Sequence, residues 1–231
     1  MKRINTTAIV LNRINYGEAD RIITLLTSSE GKITLIAKGV RKEKSKLAGG
    51  IELFCLNEIT YLKGKRDLGT LISSRMDKSF FHILKDINKV QFGYNKIKQI
   101  NRATEDLYDQ EYFELLKDIF NSLNEDISIN LIELWFSAQL LNLAGYKPNL
   151  NYDELNNKLD SNSKYTFNLS TMSFKNDTHG QFNRDKIKAL RLLFSQLKPS
   201  QIINVQGALP LIDSFNPLIN LMVKSHLDII Y

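Results

Sequence analysis

Between residues 6 and 76 the apolar positions come in short bursts rich in β-branched residues. "TTAIVLNRI" (6–14), "RIITLLT" (21–27), "KITLIAKGV" (32–40), "IELFCLNEITYLK" (51–63) and "LGTLISSRM" (68–76) read as five strands. The stretches between them, "NYGE", "SSEG", a Gly-bounded basic loop and "GKRD", carry turn chemistry. Five short strands with tight turns suit a small barrel, which leaves few exposed edges. Alternation within 51–61 puts Ile51, Leu53, Cys55, Ile59 and Tyr61 on one face, so Cys55 reads as a small core residue and not as a nucleophile.

After residue 78 the period changes to that of helices. In "SFFHILKDINKVQFGYNKIKQI" (79–100) Phe80, Phe81, Leu84, Ile87 and Tyr94 recur at roughly helical spacing. "DQEYFELLKDIFNSLNE" (109–125) opens on Asp109, a good N-cap, with acidic residues in its first turn and a stripe of Phe113, Leu116 and Phe120. "SINLIELWFSAQLLNLAGYKPNL" (128–150) is apolar on nearly every side, which predicts a central buried helix with Trp135 in the core. Gly145 and then Pro148 supply its stop. Residues 151–183 turn polar and Asn/Ser-rich, with β-like pieces such as "KYTFNLSTMSF". A helix over 184–198, stopped by Pro199, and a last one preceded by Pro217 complete the pattern. The expected fold class is therefore α+β: a barrel domain over 1–78, then a helical domain over 79–231 with an irregular, β-like insert at 151–183.

Composition sets the class. The chain has 231 residues, 43% of them hydrophobic and 24% charged, as in an ordinary globular protein. No apolar run reaches the ~18 residues of a membrane span. The opening "MKRINTTAIVLNRINYGE" alternates like a strand, so no secretory signal is expected there. One cysteine excludes both an internal disulfide and a cysteine-based zinc cluster, so a cytoplasmic location is expected.

Charge changes the picture more. The net charge is +6, yet residues 1–78 hold 15 Lys/Arg against 8 Asp/Glu, whereas 79–231 hold 16 against 17. An excess confined to the barrel points to a polyanion. A five-stranded barrel of this size is most often an OB-fold, which binds oligonucleotides on strands 2 and 3 and on the loops joining strands 1–2 and 4–5. Most of the cations fall there. Arg13 and Tyr16 lie at the first loop and Arg21 begins strand 2. Lys32 and Lys38 bracket strand 3, and "GVRKEKSKLAGG" carries Arg41, Lys42, Lys44 and Lys46 away from its end. Lys63, Lys65 and Arg66 crowd the strand 4–5 loop. Flexible lysines suit phosphate contacts without base readout, and Tyr16 and Tyr61 are the aromatic residues available for stacking.

Catalytic chemistry is nearly silent. His82, His179 and His226 lie far apart without metal-ligand spacing, and no phosphate-binding glycine loop or nucleophile elbow occurs. The pairs Glu105/Asp106 and Glu125/Asp126 fit helix edges better than acid–base work, so no enzyme is expected. Lys186, Lys188 and Arg191, on a helix with Leu190, Leu193 and Phe194, could rim an apolar pocket for an acidic partner, or simply be a surface face over a core stripe. An RNA-binding barrel and a scaffold docking an acidic protein stand as alternatives to a DNA-binding one.

The pieces "YGEADRIITLLTSSEGKI", "AKGVRKEKSKL" and "LGTL", in that order and spacing, closely resemble the N-terminal domain of the RecO family of bacterial recombination-repair mediators. "LLNLAGYKPNL" and "FNRDKIKALRLLF" extend the resemblance more weakly through the second part. It implies an OB-fold and a helical domain that bind single- and double-stranded DNA and anneal complementary strands. It also implies work with RecR and with the acidic tail of single-stranded-DNA-binding protein, to help RecA onto gapped DNA. Many relatives carry a four-cysteine zinc module after the "GYxPNL"-like segment. Here that region reads "NYDELNNKLDSNSKYTFNLSTMSFKND", without cysteine, so no zinc or other cofactor is expected and packing must preserve any shape.

Overall fold

A computed structural model of the chain describes residues 2–64, 68–104 and 110–227. Lys65, Arg66, the Glu105/Asp106 pair and the expected cap Asp109 lie outside the described residues. Two compact units divide the chain, Met1–Asn124 and Glu125–Tyr231.

The first unit is built on five strands, β1 (Arg3–Tyr16), β2 (Asp20–Thr27), β3 (Gly31–Ala37), β4 (Cys55–Leu62) and β5 (Leu68–Ser79), closed in the order β1-β2-β3-β5-β4. β3 and β5 run parallel and complete the ring, while every other pairing is antiparallel. This is OB-fold topology. Closure depends on β1 serving two neighbours. Its first half pairs with β4 through Ala8, its second with β2 from Ala8 to Tyr16, and a register shift between Val10 and Asn12 bends it from one to the other. Inward positions at period 2 then fill the barrel with Ala8, Val10, Ile23, Leu25, Leu35, Ala37, Ile59, Tyr61 and Leu71. Each fully buried large side chain contributes roughly 1.5–3 kcal/mol.

Ile9 and Leu26 point outward yet are buried, because helix α1 (Ile87–Ala103) packs on β1 and helix α2 (Gln110–Asn124) on β2. Phe120 of α2 meets Phe54 and Phe80 edge-on, each at 5.3 Å between centroids. The expected α2 stripe of Phe113, Leu116 and Phe120 is buried throughout. The stripe expected for 79–100 is not. Of its members Phe80 is buried, but Phe81, Leu84, Ile87 and Tyr94 are exposed, and Ile83, Ile97 and Ile100 are buried in their place. The cause is a 3₁₀ turn at Phe81–Lys85 followed by extended Asp86, whose carboxylate caps α1 at the Asn88 N–H (2.8 Å). A break there resets the phase of the helix, so a period counted from Phe80 runs onto the solvent side.

In the second unit α3 (Ile129–Leu143) is the buried centre, ended by Gly145 at φ +84. Helices α4 (Arg184–Leu193), α5 (Pro199–Ile202), α6 (Ala208–Asp213) and α7 (Asn216–His226) pack against it. Trp135 is buried and donates its indole N–H to the Leu197 carbonyl (2.8 Å). The Gln139 amide donates to the carbonyls of Leu193 and Ser195 (2.7 and 3.1 Å). These side chains take up the carbonyls at the end of α4, which therefore stops five residues before the expected 198. Pro199 opens α5 instead of ending α4, as a residue without a backbone N–H can. The insert holds a hairpin of β6 (Tyr165–Asn168) and β7 (Ser173–Asn176).

Candidate nucleic-acid interface

The loop that leaves β3 is braced, not loose. Gly39 takes φ +65 and gives its N–H to the Asp20 carboxylate (2.7 Å), and Arg41 donates its backbone N–H to the Ala19 carbonyl (2.9 Å). The Arg41 guanidinium reaches the Gly17 carbonyl (3.2 Å), so one residue clips the loop to the β1–β2 turn twice. Val40 and Ile51 plug the end of the barrel from either side of the basic run. Between these anchors Lys42, Lys44 and Lys46, with Lys38 just before them, are exposed and have no ion-pair partner among the described residues. Four ammonium groups are thus held at one end of the barrel by a scaffold that does not neutralise them.

The other cations expected here have different duties. Arg13 sits on the inward register, pairs with Glu52 (2.6 Å) and donates to the Ile51 carbonyl (3.3 Å), fastening the far side of the same loop. Arg21 donates to the Asn15 side chain (3.1 Å). Lys63 pairs with Glu30 (3.1 Å) beyond β4, at the opposite end of the barrel from the β1–β2 turn. The structure therefore does not join Lys63 to the loop cluster. Nor is Tyr61 available for stacking. It is 2% exposed in the barrel core, and burial, with Glu30 second, raises its pKa. Tyr16, 54% exposed, is open.

This face also carries an apolar row, which charge does not reveal. Ile14 pairs with Ile22, and Ile22 with Ile36, so three isoleucines form one outward row across β1, β2 and β3. Helices cover the outward residues Ile9 and Leu26 farther along these strands but leave this row partly open, with Ile14 56% exposed. Tyr16 and Lys38 flank it one step nearer the basic loop. Alternation on β2 and β3 marks Ile22 and Ile36 as outward, but Ile14 joins them only through the register shift between Val10 and Asn12, which a strict period 2 along β1 does not show. An apolar strip with an aromatic ring beside free lysines can lie against bases while the lysines meet phosphates.

In the second unit, α4 and α6 border a groove of about 640 Å³ walled by Ala189, Leu192, Val205 and Leu211, with Lys188, Arg191 and Asp185 at its edge. Leu190, Leu193 and Phe194 take no part, being core residues. Arg191 is partly committed, donating twice to the Leu150 carbonyl (3.0 and 2.6 Å) and so tying the segment that leads into the insert to α4. Lys186 is half-buried and lies off the groove.

The insert at 151–183 is held by its own side chains. Among the described residues no three His, Cys, Asp or Glu side chains come together as a metal would require. Carboxylates close its turns instead. Buried Asp153 accepts the N–H groups of Leu155 and Asn157 (3.0 and 2.8 Å), and Asp177 accepts that of His179 (2.8 Å). Phe174 lies edge-on to Tyr165, Phe167 and Phe182 at 6.1, 5.2 and 5.4 Å, a small aromatic core. Backbone N–H bonds, led by that of Asn157, hold the Asp153 carboxyl below the usual carboxylate range.

The family model described as "Recombination protein O N terminal" matches residues 1–80, and that described as "Recombination protein O C terminal" matches residues 98–208. A DNA repair protein RecO of Acetivibrio thermocellus is 36% identical over 152 residues, covering 64% of this chain and 59% of the relative. Proteins of the same name from Dehalococcoides mccartyi and Desulfatibacillum aliphaticivorans are 34% and 32% identical over 63% and 65% of this chain. The matched region spans 57% and 60% of those two relatives. With both terminal models matched in order, on an OB barrel followed by a helical unit, the chain belongs to the RecO family.

Proposed function

We propose that this chain works in DNA repair as a non-catalytic mediator. It binds single- and double-stranded DNA, anneals complementary strands and, with RecR, helps RecA onto gapped DNA. The observation that carries the reading is the braced loop, whose Lys38, Lys42, Lys44 and Lys46 stand exposed beside the open row of Ile14, Ile22 and Ile36. Annealing needs two phosphate backbones brought together, and unneutralised lysines screen that repulsion without reading sequence. The names borne by the matched relatives support the same assignment. The groove of α4 and α6 suits the acidic tail of single-stranded-DNA-binding protein, with apolar walls for its end and Lys188 for its charge. The insert serves without zinc, its turns closed by Asp153 and Asp177.

The test is annealing of fluorescent complementary strands by the wild type and by a Lys38→Ala/Lys42→Ala/Lys44→Ala/Lys46→Ala variant, with an RNA pair alongside. Arg41 is kept, because it braces the loop. The variant should melt like the wild type and anneal about tenfold or more slowly at moderate salt, as losing several phosphate contacts implies. Equal annealing by both would sink the loop's role. Binding of RNA in preference to DNA would turn the reading to an RNA module, and binding of neither to a scaffold.

A further inference from the structure

Helix α1 has seventeen residues, four of them Lys or Arg, and no carboxylate. Its core side is Gly93, Lys96, Ile97 and Ile100. Its other side presents Gln91, Tyr94, Asn95, Lys98 and Arg102, all exposed. Steps of three and four residues put them on one face. Packing does not call for this composition. Tyr94 is 41% exposed, and Lys98 holds its ammonium 4.7 Å from the centre of that ring. A helix that merely needed solubility would mix charge signs on its outer face. This face offers amides, an aromatic ring and cations only, the set that meets bases and phosphates.

Its position matters as much. Lys32, at the start of β3, donates to the Asn101 carbonyl near the end of α1 (2.8 Å). That contact offsets the negative end of the helix dipole and places the C-terminal end of α1, where Arg102 lies, by the start of β3. The basic loop leaves from the other end of the same strand. β3 spans Gly31–Ala37, so at ~3.3 Å per residue the two surfaces stand roughly 20 Å apart along it. One unit therefore carries two separate cationic surfaces.

Resting on the DNA-mediator reading above, we propose that the solvent face of α1 is a second polynucleotide surface, which holds one strand while the loop end of the barrel holds the other. Screening by two surfaces on one compact unit would bring two strands together without a second protein molecule.

The test uses the full chain with two non-complementary oligonucleotides, one bearing a donor dye and one an acceptor. The wild type is compared with Lys98→Gln/Arg102→Gln, with Lys98→Glu/Arg102→Glu and with the loop variant, all checked for unchanged melting. The α1 variants should bind a single strand within about threefold of wild type, since the loop contacts remain, but should lose energy transfer between co-bound strands. Their annealing should slow by about tenfold, more for the Glu pair than for the Gln pair. Wild-type-like energy transfer and annealing in both α1 variants would overturn the inference and leave the mediator reading intact. So would single-strand binding by the wild type with no energy transfer. An α1 face that loses poly-glutamate binding but no DNA function would belong to an acidic protein, overturning it as well. If the wild type bound no DNA at all, the mediator reading itself would fail.

Discussion

Asp153 shows how a single carboxylate can close a turn of the insert. Its carboxylate gathers two backbone N–H groups into a closed turn, and Asn156 within that turn takes φ 63. Gly180, near the second turn, is fixed by a different constraint, because a Cβ there would fall 2.3 Å from the Tyr165 carbonyl carbon. The depressed carboxyl pKa gives the turn a pH signature. A folded-state value below the unfolded one adds stability above the unfolded value of about 3.9, and that stability is lost as pH falls through the folded value. Wild type should therefore lose melting temperature between pH 5 and pH 3 faster than Asp153→Asn, which keeps an acceptor but no charge. Asp153→Ala should melt lower at pH 7, and a chelator should leave the wild-type melt unchanged. A melt that drops with chelator would put a metal back into the insert, and identical acid curves would remove Asp153 from its role.

At the scale of elements, the strands were legible because period 2 needs only local alternation and turn residues. All five appear within a few residues of their expected bounds, as does α3, whereas α7 takes Pro217 into its first turn instead of following it. Where a long-range contact sets an end, local reading slips. The end of α4 is decided by Gln139 and Trp135 on α3, more than fifty residues away in sequence. The phase of α1 is reset by the cap at Asp86. Helix α6 was invisible because six residues cannot show a helical period. Yet α6 makes the groove, by bringing Leu211 opposite Leu192. An acidic peptide with an apolar C-terminal end should bind there, and Lys188→Glu should weaken it about tenfold, as reversing a rim charge beside an apolar site does. Fluorescence anisotropy of the labelled peptide checks this. Binding unchanged by both Lys188→Glu and Leu211→Glu would place that partner elsewhere.

For the whole molecule the partition of charge is the leading fact. Residues 1–124 hold 21 Lys/Arg against 15 Asp/Glu, and 125–231 hold 10 against 10, so the entire excess belongs to the first compact unit. No described helix is long and apolar enough to cross a membrane. Binding to a single strand should then owe its salt dependence to the first unit. At about 0.7 per neutralised phosphate, the four loop lysines alone predict a log–log slope near −3. Removing Lys42, Lys44 and Lys46 should flatten it by about 2, whereas removing Lys186, Lys188 and Lys198 should change it by less than about 0.5. A slope that responds equally to both sets, read from anisotropy titrations over salt, would spread the contacts across both units.

The sequence alone determined the strand-then-helix order, the barrel core, the central α3 and the confinement of the net positive charge to the barrel, because composition and short-range period carry all of these. It also carried the family, through spaced motifs. Only the tertiary structure decided which cations are free. Arg13, Arg21 and Lys63 look like Lys42 and Lys44 along the chain, yet Glu52, Asn15 and Glu30 engage them in space. It likewise decided that Tyr61 is core, that an isoleucine row lies open beside Tyr16, and that α1 buries Lys96 while turning Lys98 and Arg102 outward. Charge and periodicity are properties of a segment, whereas neutralisation and exposure are properties of whatever the fold brings next to it.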